Sequence, residues 1–328
     1  NKDMGVIEKV NRTAAFKFAL KNKGALRIIN KGLYAYQVSG MQKVVKNYNL
    51  LKPIKKFNQM NKAMPDVILS KRITRNINPF RRNDLSIGFF QGCIMDSFFS
   101  NINELAIKIM KKHYVQVTNI PKQTCCGALQ HHAGEKPQTV ELAMQNIKAY
   151  EQYDFDYIVN TIGGCGATLK EYDKLFEPGT DWHKRAVDFT NKVRDISQIM
   201  SLIDLDLVNE IDKNAVYQPS CHLENVQKVF NDPLKLINRI PKLNYIEMPE
   251  KSLCCGSAGI YNILHFDESM QILDMKMNNV KSSEPNLIIT SNPGCHIQMQ
   301  LGVEREGLSN EIAVKHIVEI IAEACGVE

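Results

Sequence analysis

Leu253-Cys254-Cys255-Gly256-Ser257-Ala258-Gly259 is the stretch from which the rest of the chain can be read. Two adjacent thiols can both reach one multinuclear metal centre, and the glycine after them lets the backbone turn away without a Cβ clash. A second triplet, Cys125-Cys126-Gly127-Ala128-Leu129, stands upstream. Cys93 lies 32 positions before Cys125, and Cys221 lies 33 before Cys254. Cys165 lies 39 positions after Cys126, and Cys295 lies 40 after Cys255. The second set repeats the first at an offset of 128 to 130 residues, and of the nine cysteines only Cys325 falls outside the pattern. Buried packing is the ordinary use of a free cysteine, but it does not generate two matched sets.

The 328 residues can hold two domains of ordinary size, or one small region plus a duplicated core. With 44% apolar and 23% charged residues, the composition is that of a globular protein. No uninterrupted apolar run is long enough to span a bilayer. Residues 1–30 lack the apolar block and small-residue cleavage site of an export signal. An odd cysteine count without such a signal predicts a reducing, cytoplasmic compartment, where thiols serve metals or redox chemistry more than disulfides. The chain begins at Asn1 rather than Met, which predicts further residues upstream.

The net charge of +6 hides an asymmetry. Residues 1–82 carry 19 Lys or Arg against three acids, Asp3, Glu8 and Asp66, whereas the remainder carries 22 basic and 32 acidic residues. Residues 1–64 read as helical, with Phe16, Phe18, Leu20, Leu26, Ile28, Ile29, Leu33 and Tyr34 spaced among lysines and Gly24, Gly32 and Gly40 as punctuation. Such a segment suits an anionic membrane surface, and with it the inner face of the cell membrane. It equally suits packing on a partner or on the chain's own core. No recognised nucleic-acid module accompanies the charge, so a nucleic-acid partner is not expected. Pro65 to Arg82 reads as a linker.

From Leu85 short apolar runs alternate with helical stripes. In the first half, strands are expected at Ile87-Gly88-Phe89-Phe90, around Val115 and Val117, and at Tyr157-Ile158-Val159. Helical faces are marked by Phe98, Ile102, Leu105 and Ile109, then by Val140, Ala143, Ile147 and Tyr150, with further helices over 166–176 and 181–203. The second half repeats this plan, with strands at Ala215-Val216-Tyr217, Tyr245-Ile246 and Leu287-Ile288-Ile289. A helix there is expected to restart at Asp232-Pro233, with Asp as N-cap and Pro as first helical residue. Met270, Leu273, Met277 and Val280 give the matching stripe, and a last helix covers about 315–324. The expected fold is α/β: two pseudo-repeated units with largely parallel sheets, residues 83–205 and 206–328, preceded by the basic helical segment and linker of residues 1–82. Sites in such sheets form beyond the carboxyl ends of the strands, where Cys93, Cys165, Cys221 and Cys295 fall.

Four thiolates per half suit a 4Fe–4S cluster, and they also suit tetrahedral zinc. No Cys-x-x-Cys occurs anywhere, which weighs against an ordinary zinc knuckle. A disulfide framework is disfavoured because vicinal cysteines make strained bridges. Gly92, Gly127, Gly164, Gly256 and Gly294 would let backbone N–H groups approach the sulfurs. His222 and His296 directly follow cysteines at equivalent places, and His131 and His132 follow the first triplet. Each is either a donor beside a redox centre or a hydrogen-bonded turn histidine. No nucleotide fingerprint, P-loop or Ser/His/Asp arrangement stands out, and the sequence offers no flavin site of its own.

The order Cys…Cys-Cys-Gly…Cys, twice, resembles the duplicated cysteine-rich CCG domain of heterodisulfide reductase B-type subunits and their relatives. Three stretches are similar to the glycolate oxidase iron–sulfur subunit: Cys125 through Gly134, Gly164-Cys165-Gly166-Ala167 with Lys170-Glu171-Tyr172, and Leu253 through Gly259. The resemblance covers about residues 85–324, and the basic helical segment resembles the stretch next to the ferredoxin part of that subunit, on its C-terminal side. It implies an electron-transfer subunit of a 2-hydroxy-acid oxidoreductase, glycolate first. A separate flavoprotein would oxidise the substrate and a quinone or other acceptor would take the electrons. Cys93, Cys125, Cys126 and Cys165 would hold one iron–sulfur centre, and Cys221, Cys254, Cys255 and Cys295 the other. Two alternatives remain: a lactate-utilisation-type protein, and a zinc-stabilised scaffold that docks flavin subunits without carrying electrons. The sequence departs from the family twice. It has no ferredoxin-type cysteine runs, which implies a truncated chain or a variant without those clusters. Ile162 and Asn292 stand where heterodisulfide-type domains place the first cysteine of a closing Cys-x-x-Cys.

Overall fold

The computed structural model describes residues 23–48, 50–52, 54–62, 64, 66, 67, 69 and 85–328. The expectations for Phe16, Phe18 and Leu20, and for most of the linker from Pro65 to Arg82, fall outside the described residues.

Among the described residues eight strands form two sheets. In the first lobe these are β1 (Ser86–Phe90), β2 (Gln116–Asn119), β3 (Tyr157–Asn160) and β4 (Val193–Asp195). In the second they are β5 (Lys213–Gln218), β6 (Leu243–Tyr245), β7 (Leu287–Thr290) and β8 (Ala313–His316). The strand orders are β2-β1-β3-β4 and β6-β5-β7-β8, and every pairing is parallel. In register, Ile87 faces Tyr157 and Phe89 faces Val159, while Ala215 faces Leu287 and Tyr217 faces Ile289. The two lobes are therefore copies of one open α/β plan. Its order reverses between the first and third strands, which is where such sheets bind ligands.

Side-chain alternation along the strands divides the interior into three cores. Ile87, Phe89, Val159, Ala215, Tyr217, Leu287 and Ile289 face a core shared by both lobes, which helices Ser100–Lys112 and Ile317–Ala324 complete with Ile102, Ile109, Ile317 and Ile321. Phe90 and Ile158 face an outer core under helix Lys136–Tyr150. Val216 and Ile288 face its counterpart under helix Phe266–Ser282. Full burial of each such side chain contributes about 1.5–3 kcal/mol. The shared core makes the two lobes one packed body.

Four expectations need correction. The helix expected over 181–203 is Asp181–Lys192, then β4, then Ile196–Leu202. β8 likewise precedes a helix that starts only at Ile317. Each edge strand is three or four residues long, too short for a period-2 pattern to stand out from the helices beside it. The helix expected to start at Asp232 instead runs over Asn231–Arg239 with Phe230 as N-cap, so Pro233 sits within the first turn, where its missing N–H costs nothing. Gly24 and Gly32 lie inside helix Lys23–Val38 and only Gly40 breaks the chain.

The basic segment forms helices Lys23–Val38, Met41–Asn47 and Lys55–Lys62. It is anchored to the first lobe: Leu26 is buried against the core that holds Phe90 and Cys93, and Arg27 pairs with Asp96 at 3.6 Å. The Asn30 amide donates to the Ser97 carbonyl. Its outward side exposes Ile28, Val38, Met41 and Val44. No described helix is long and apolar enough to cross a membrane.

Candidate metal centres

Every cysteine of the two sets lies beyond the carboxyl end of a strand. Cys93 and Cys221 follow β1 and β5, the triplets follow β2 and β6, and Cys165 and Cys295 follow β3 and β7. Because β1 and β5 are central, the three loops of each lobe converge at the reversal of strand order.

In the first lobe the Sγ atoms of Cys93 and Cys125 are 3.4 Å apart, and those of Cys126 and Cys165 are 3.1 Å apart. Cys125 and Cys126 also share a hydrogen bond, so the sulfurs form the chain 93–125–126–165. In the second lobe Cys221 bonds Cys254, Cys254 bonds Cys255, and Cys255 bonds Cys295, the same chain in the same order. All nine cysteines are free thiols.

The electrostatics of these chains follow from burial and proton sharing. Donation to Cys125, then desolvation, holds Cys93 well above the ordinary thiol range. Cys126 is held up by its bonds to Cys125 and Cys165 and by burial. In the second lobe Cys221 is raised because it donates to Cys254, and Cys255 because it donates to Cys254 and Cys295. Cys254, accepting from both neighbours, drops to about 2. Cys295 is lowered by the Cys255 thiol. Four crowded sulfurs cannot all become anions without a positive group among them. A polynuclear iron–sulfur group supplies that charge, and its ligands are thiolates. The residues present therefore fit such a group. Among the described residues, no three His, Cys, Asp or Glu side chains surround one point as a single-ion site requires. The sulfurs are strung along a chain.

Both triplets are locally alike. The Gly127 amide points at Cys125 Sγ at 3.5 Å, and the Gly256 amide at Cys254 Sγ at 3.3 Å. The Gly164 amide instead donates to Asn292 Oδ1 of the other lobe at 3.1 Å. Asn292 then turns Nδ2 to Cys295 Sγ at 3.7 Å. One side chain thus links the neighbour of Cys165 to the sulfur of Cys295.

The four histidines separate. His222 Nδ1 lies 3.6 Å from Cys221 Sγ, and its ring meets His132 of the first lobe edge-on, centroids 5.4 Å apart. Burial lowers both His132 and His222. His131 lies beyond His132, at 6.1 Å. His296 turns away from Cys295 to Thr290 Oγ1 at 3.2 Å and the Phe99 ring, a core histidine pushed down to about 4 by burial.

Sequence reasoning missed the groups beneath the triplets. Asn146 Oδ1 accepts the Thr124 amide at 2.8 Å, and Nδ2 donates to the Cys125 carbonyl at 2.9 Å and to Tyr172 Oη at 3.0 Å. Tyr172 Oη donates to the Cys126 carbonyl at 2.9 Å. At the equivalent place in the second lobe, 130 residues on, Lys276 is fully buried and donates Nζ to the carbonyls of Glu250 and Lys251 at 3.1 and 2.9 Å. Carrying the cysteine offset into the helices would have paired Asn146 with Lys276.

Comparison with known proteins agrees with this geometry. The family model described as "Cysteine-rich domain" (CCG) matches residues 87–170 and again 215–300. The model for the linker region of the glycolate oxidase iron–sulfur subunit matches residues 7–64. The chain is 38% identical to the "Probable glycolate oxidase iron-sulfur subunit" of Bacillus subtilis (strain 168) over 99% of its own length and 75% of that protein's. It is 28% identical to "Lactate utilization protein A" of Oceanobacillus iheyensis over 72% of its length and 96% of that protein's. Among solved structures, a hypothetical protein from Helicobacter pylori superposes with a TM-score of 0.51 at 9% identity, covering 79% of this chain and 52% of that one, a likeness of fold alone. The duplicated CCG lobes, the matched linker and the near full-length identity place this chain in the glycolate oxidase iron–sulfur subunit family.

Proposed function

We propose that this chain is the electron-carrying subunit of a 2-hydroxy-acid oxidoreductase that acts on glycolate. Cys93, Cys125, Cys126 and Cys165 hold one iron–sulfur centre, of 4Fe–4S type, and Cys221, Cys254, Cys255 and Cys295 hold a second. The observation that carries the reading is the repetition of one sulfur chain, in one order, at the same end of both sheets. Bound there, the clusters supply one-electron chemistry. The chain's residues hold the sulfurs, shield them from water and present N–H donors to them. Two-electron oxidation of the acid belongs to a partner flavoprotein, and a quinone or other acceptor takes the electrons. The domains are residues 83–205 and 206–328, after a leading segment of residues 1–82.

Glycolate is favoured over lactate by the leading segment. The lactate-utilisation relative is matched along 72% of the chain, whereas the glycolate oxidase linker model covers residues 7–64. The described part of that segment, from residue 23 to 62, contains basic residues and no acid, and it exposes Ile28, Val38, Met41 and Val44. That pairing of charge and apolar surface suits peripheral attachment to the anionic inner face of the cell membrane.

Iron and acid-labile sulfide analysis of anaerobically purified protein tests the cofactor. Two iron–sulfur centres per chain are expected, and zinc without labile sulfide rejects the reading in favour of a scaffold. Turnover of glycolate against lactate by the reconstituted complex tests the substrate. Co-sedimentation with anionic liposomes, with and without residues 1–64, tests the attachment, and equal binding removes it.

A further inference from the structure

The backbone around the two sulfur chains is matched. Gly127 and Gly256 aim their amides at equivalent sulfurs, and the amides of Ile94 and His222 reach those of Cys93 and Cys221. Buried acids are matched too, Asp96 against Glu224, at the same offset of 128 as Cys93 and Cys221. The backbone donors act alike on both lobes; the acids differ in partner, Asp96 pairing with Arg27 at 3.6 Å and Glu224 accepting from the Ser252 hydroxyl at 3.0 Å.

The side chains are not matched, and they differ in one direction. Asn292 turns an N–H towards Cys295 Sγ where the first lobe has Ile162. An amide can present either end, but here the Gly164 N–H occupies Oδ1, so only Nδ2 is left to face the sulfur. Ser220 replaces Gly92; its hydroxyl is buried, lacks another partner and lies on the Cys295 side. His222, in contact with Cys221 Sγ, replaces Ile94. Beneath the triplet, the buried ammonium of Lys276, whose charge interacts with Cys254 and Cys255, replaces the neutral amide of Asn146. Exposure adds a smaller difference of the same sign: Cys221 and Cys254 are partly exposed in the second lobe, against Cys165 alone in the first.

Reduction adds negative charge to an iron–sulfur group. Hydrogen bonds to its sulfurs, a nearby cation and solvent all stabilise that charge and raise the potential. We infer that the centre of the second lobe has the higher reduction potential, so that the chain conducts from its first lobe to its second. In that step one electron leaves the first-lobe centre, which is oxidised by one, and enters the second-lobe centre, which is reduced by one. No proton or atom is transferred. The inference rests on the iron–sulfur reading above.

The test is an anaerobic redox titration of the intact protein with dithionite and ferricyanide, followed by electron paramagnetic resonance. Two couples are expected in the wild type. Asn292→Ile and Lys276→Met each lower the upper couple, together by at least a tenfold change in the one-electron equilibrium, about 59 mV; Lys276→Met leaves the lower couple in place, whereas Asn292→Ile also frees the Gly164 N–H beside Cys165 and is read on the upper couple. Ile162→Asn raises the lower couple. Ser220→Ala, a smaller change, lowers the upper couple even if a larger substitution impairs folding. A single couple, or variants that move only the lower couple or neither, overturns the inference while leaving the cofactor assignment intact. Absence of iron and labile sulfide overturns the cofactor reading, and the inference with it.

Discussion

Asp195 and His316 occupy the same place in the two lobes: each ends an edge strand and caps the next helix. Asp195 Oδ1 accepts the Ser197 amide at 2.9 Å, and His316 Nδ1 accepts the Val318 amide at 3.2 Å. Each backbone amide is in turn taken by a side chain three residues on, Gln198 or Glu319. Both caps are buried, but their charges respond oppositely. Burial raises Asp195 from 3.8 to about 6 and lowers His316 from 6.5 to about 3.

For His316 the folded value lies below the unfolded one. Its contribution is fully present above pH 6.5 and is lost as pH falls towards 3. Nε2 donates to the Thr161 carbonyl of the first lobe at 3.1 Å in either protonation state, whereas a proton on Nδ1 breaks the Val318 cap. His316→Asn is expected to cost about 1–2 kcal/mol at pH 7 through the lost Thr161 bond. Stability should then fall less steeply below pH 6.5 than in the wild type. Urea unfolding across pH 3 to 7 measures both, and an unchanged slope rejects the assignment.

Asp195 has the opposite sign. Its folded value lies above the unfolded one, so its contribution is present below pH 3.8 and is lost as pH rises through about 6. At pH 7 the buried carboxylate is a cost, and its Oδ2 has no hydrogen-bond partner. Asp195→Asn keeps a capping oxygen without the charge. It should stabilise the protein by about 1–3 kcal/mol at pH 7, with the gain vanishing near pH 3.5. A loss at neutral pH would show that the Lys170 charge outweighs the burial.

The turn after the second triplet sets a steric test. Gly256 has φ of +88°, and a Cβ there would lie 2.6 Å from the Ser269 carbonyl oxygen. Gly134 has φ of +77° with nothing near. Gly134→Ala should cost about 1–2 kcal/mol, the left-handed penalty alone. Gly256→Ala adds a backbone clash of about 1–3 kcal/mol and moves Cys254 and Cys255. Thermal unfolding with iron analysis separates the two, since only the second variant should lose metal.

The sequence carried what is periodic or repeated. The cysteine spacings foretold two lobes and both sulfur sets, and runs such as Leu287-Ile288-Ile289 foretold central strands buried on both faces. β4 and β8 stayed hidden, because Val193–Asp195 and Ala313–His316 are short edge strands flanked directly by helices. His222 and His296 were indistinguishable in sequence, since both come directly after a cysteine. Their rotamers part them, one towards sulfur and one into the shared core. Lys276 carries no local signature and Asn292 stands out only as the residue in place of a cysteine; the contacts of both come from packing that joins distant segments.

Metal removal gives the last test. With iron extracted under argon, the sulfurs of Cys93 and Cys125, and of Cys126 and Cys165, stand 3.4 and 3.1 Å apart as free thiols. Admitting air should close those pairs, and in the second lobe the bonded neighbours Cys221 with Cys254 and Cys255 with Cys295. The vicinal pairs Cys125–Cys126 and Cys254–Cys255 also touch, but bridges between adjacent residues are strained and should not accumulate. Cys325, fully buried in the shared core, should remain the one reduced thiol. Peptide mapping by mass spectrometry of the metal-free, oxidised protein reads the pairing directly. Crosslinks between the lobes, or oxidation of Cys325 ahead of the rest, would mean that the sulfurs do not lie in two separate chains.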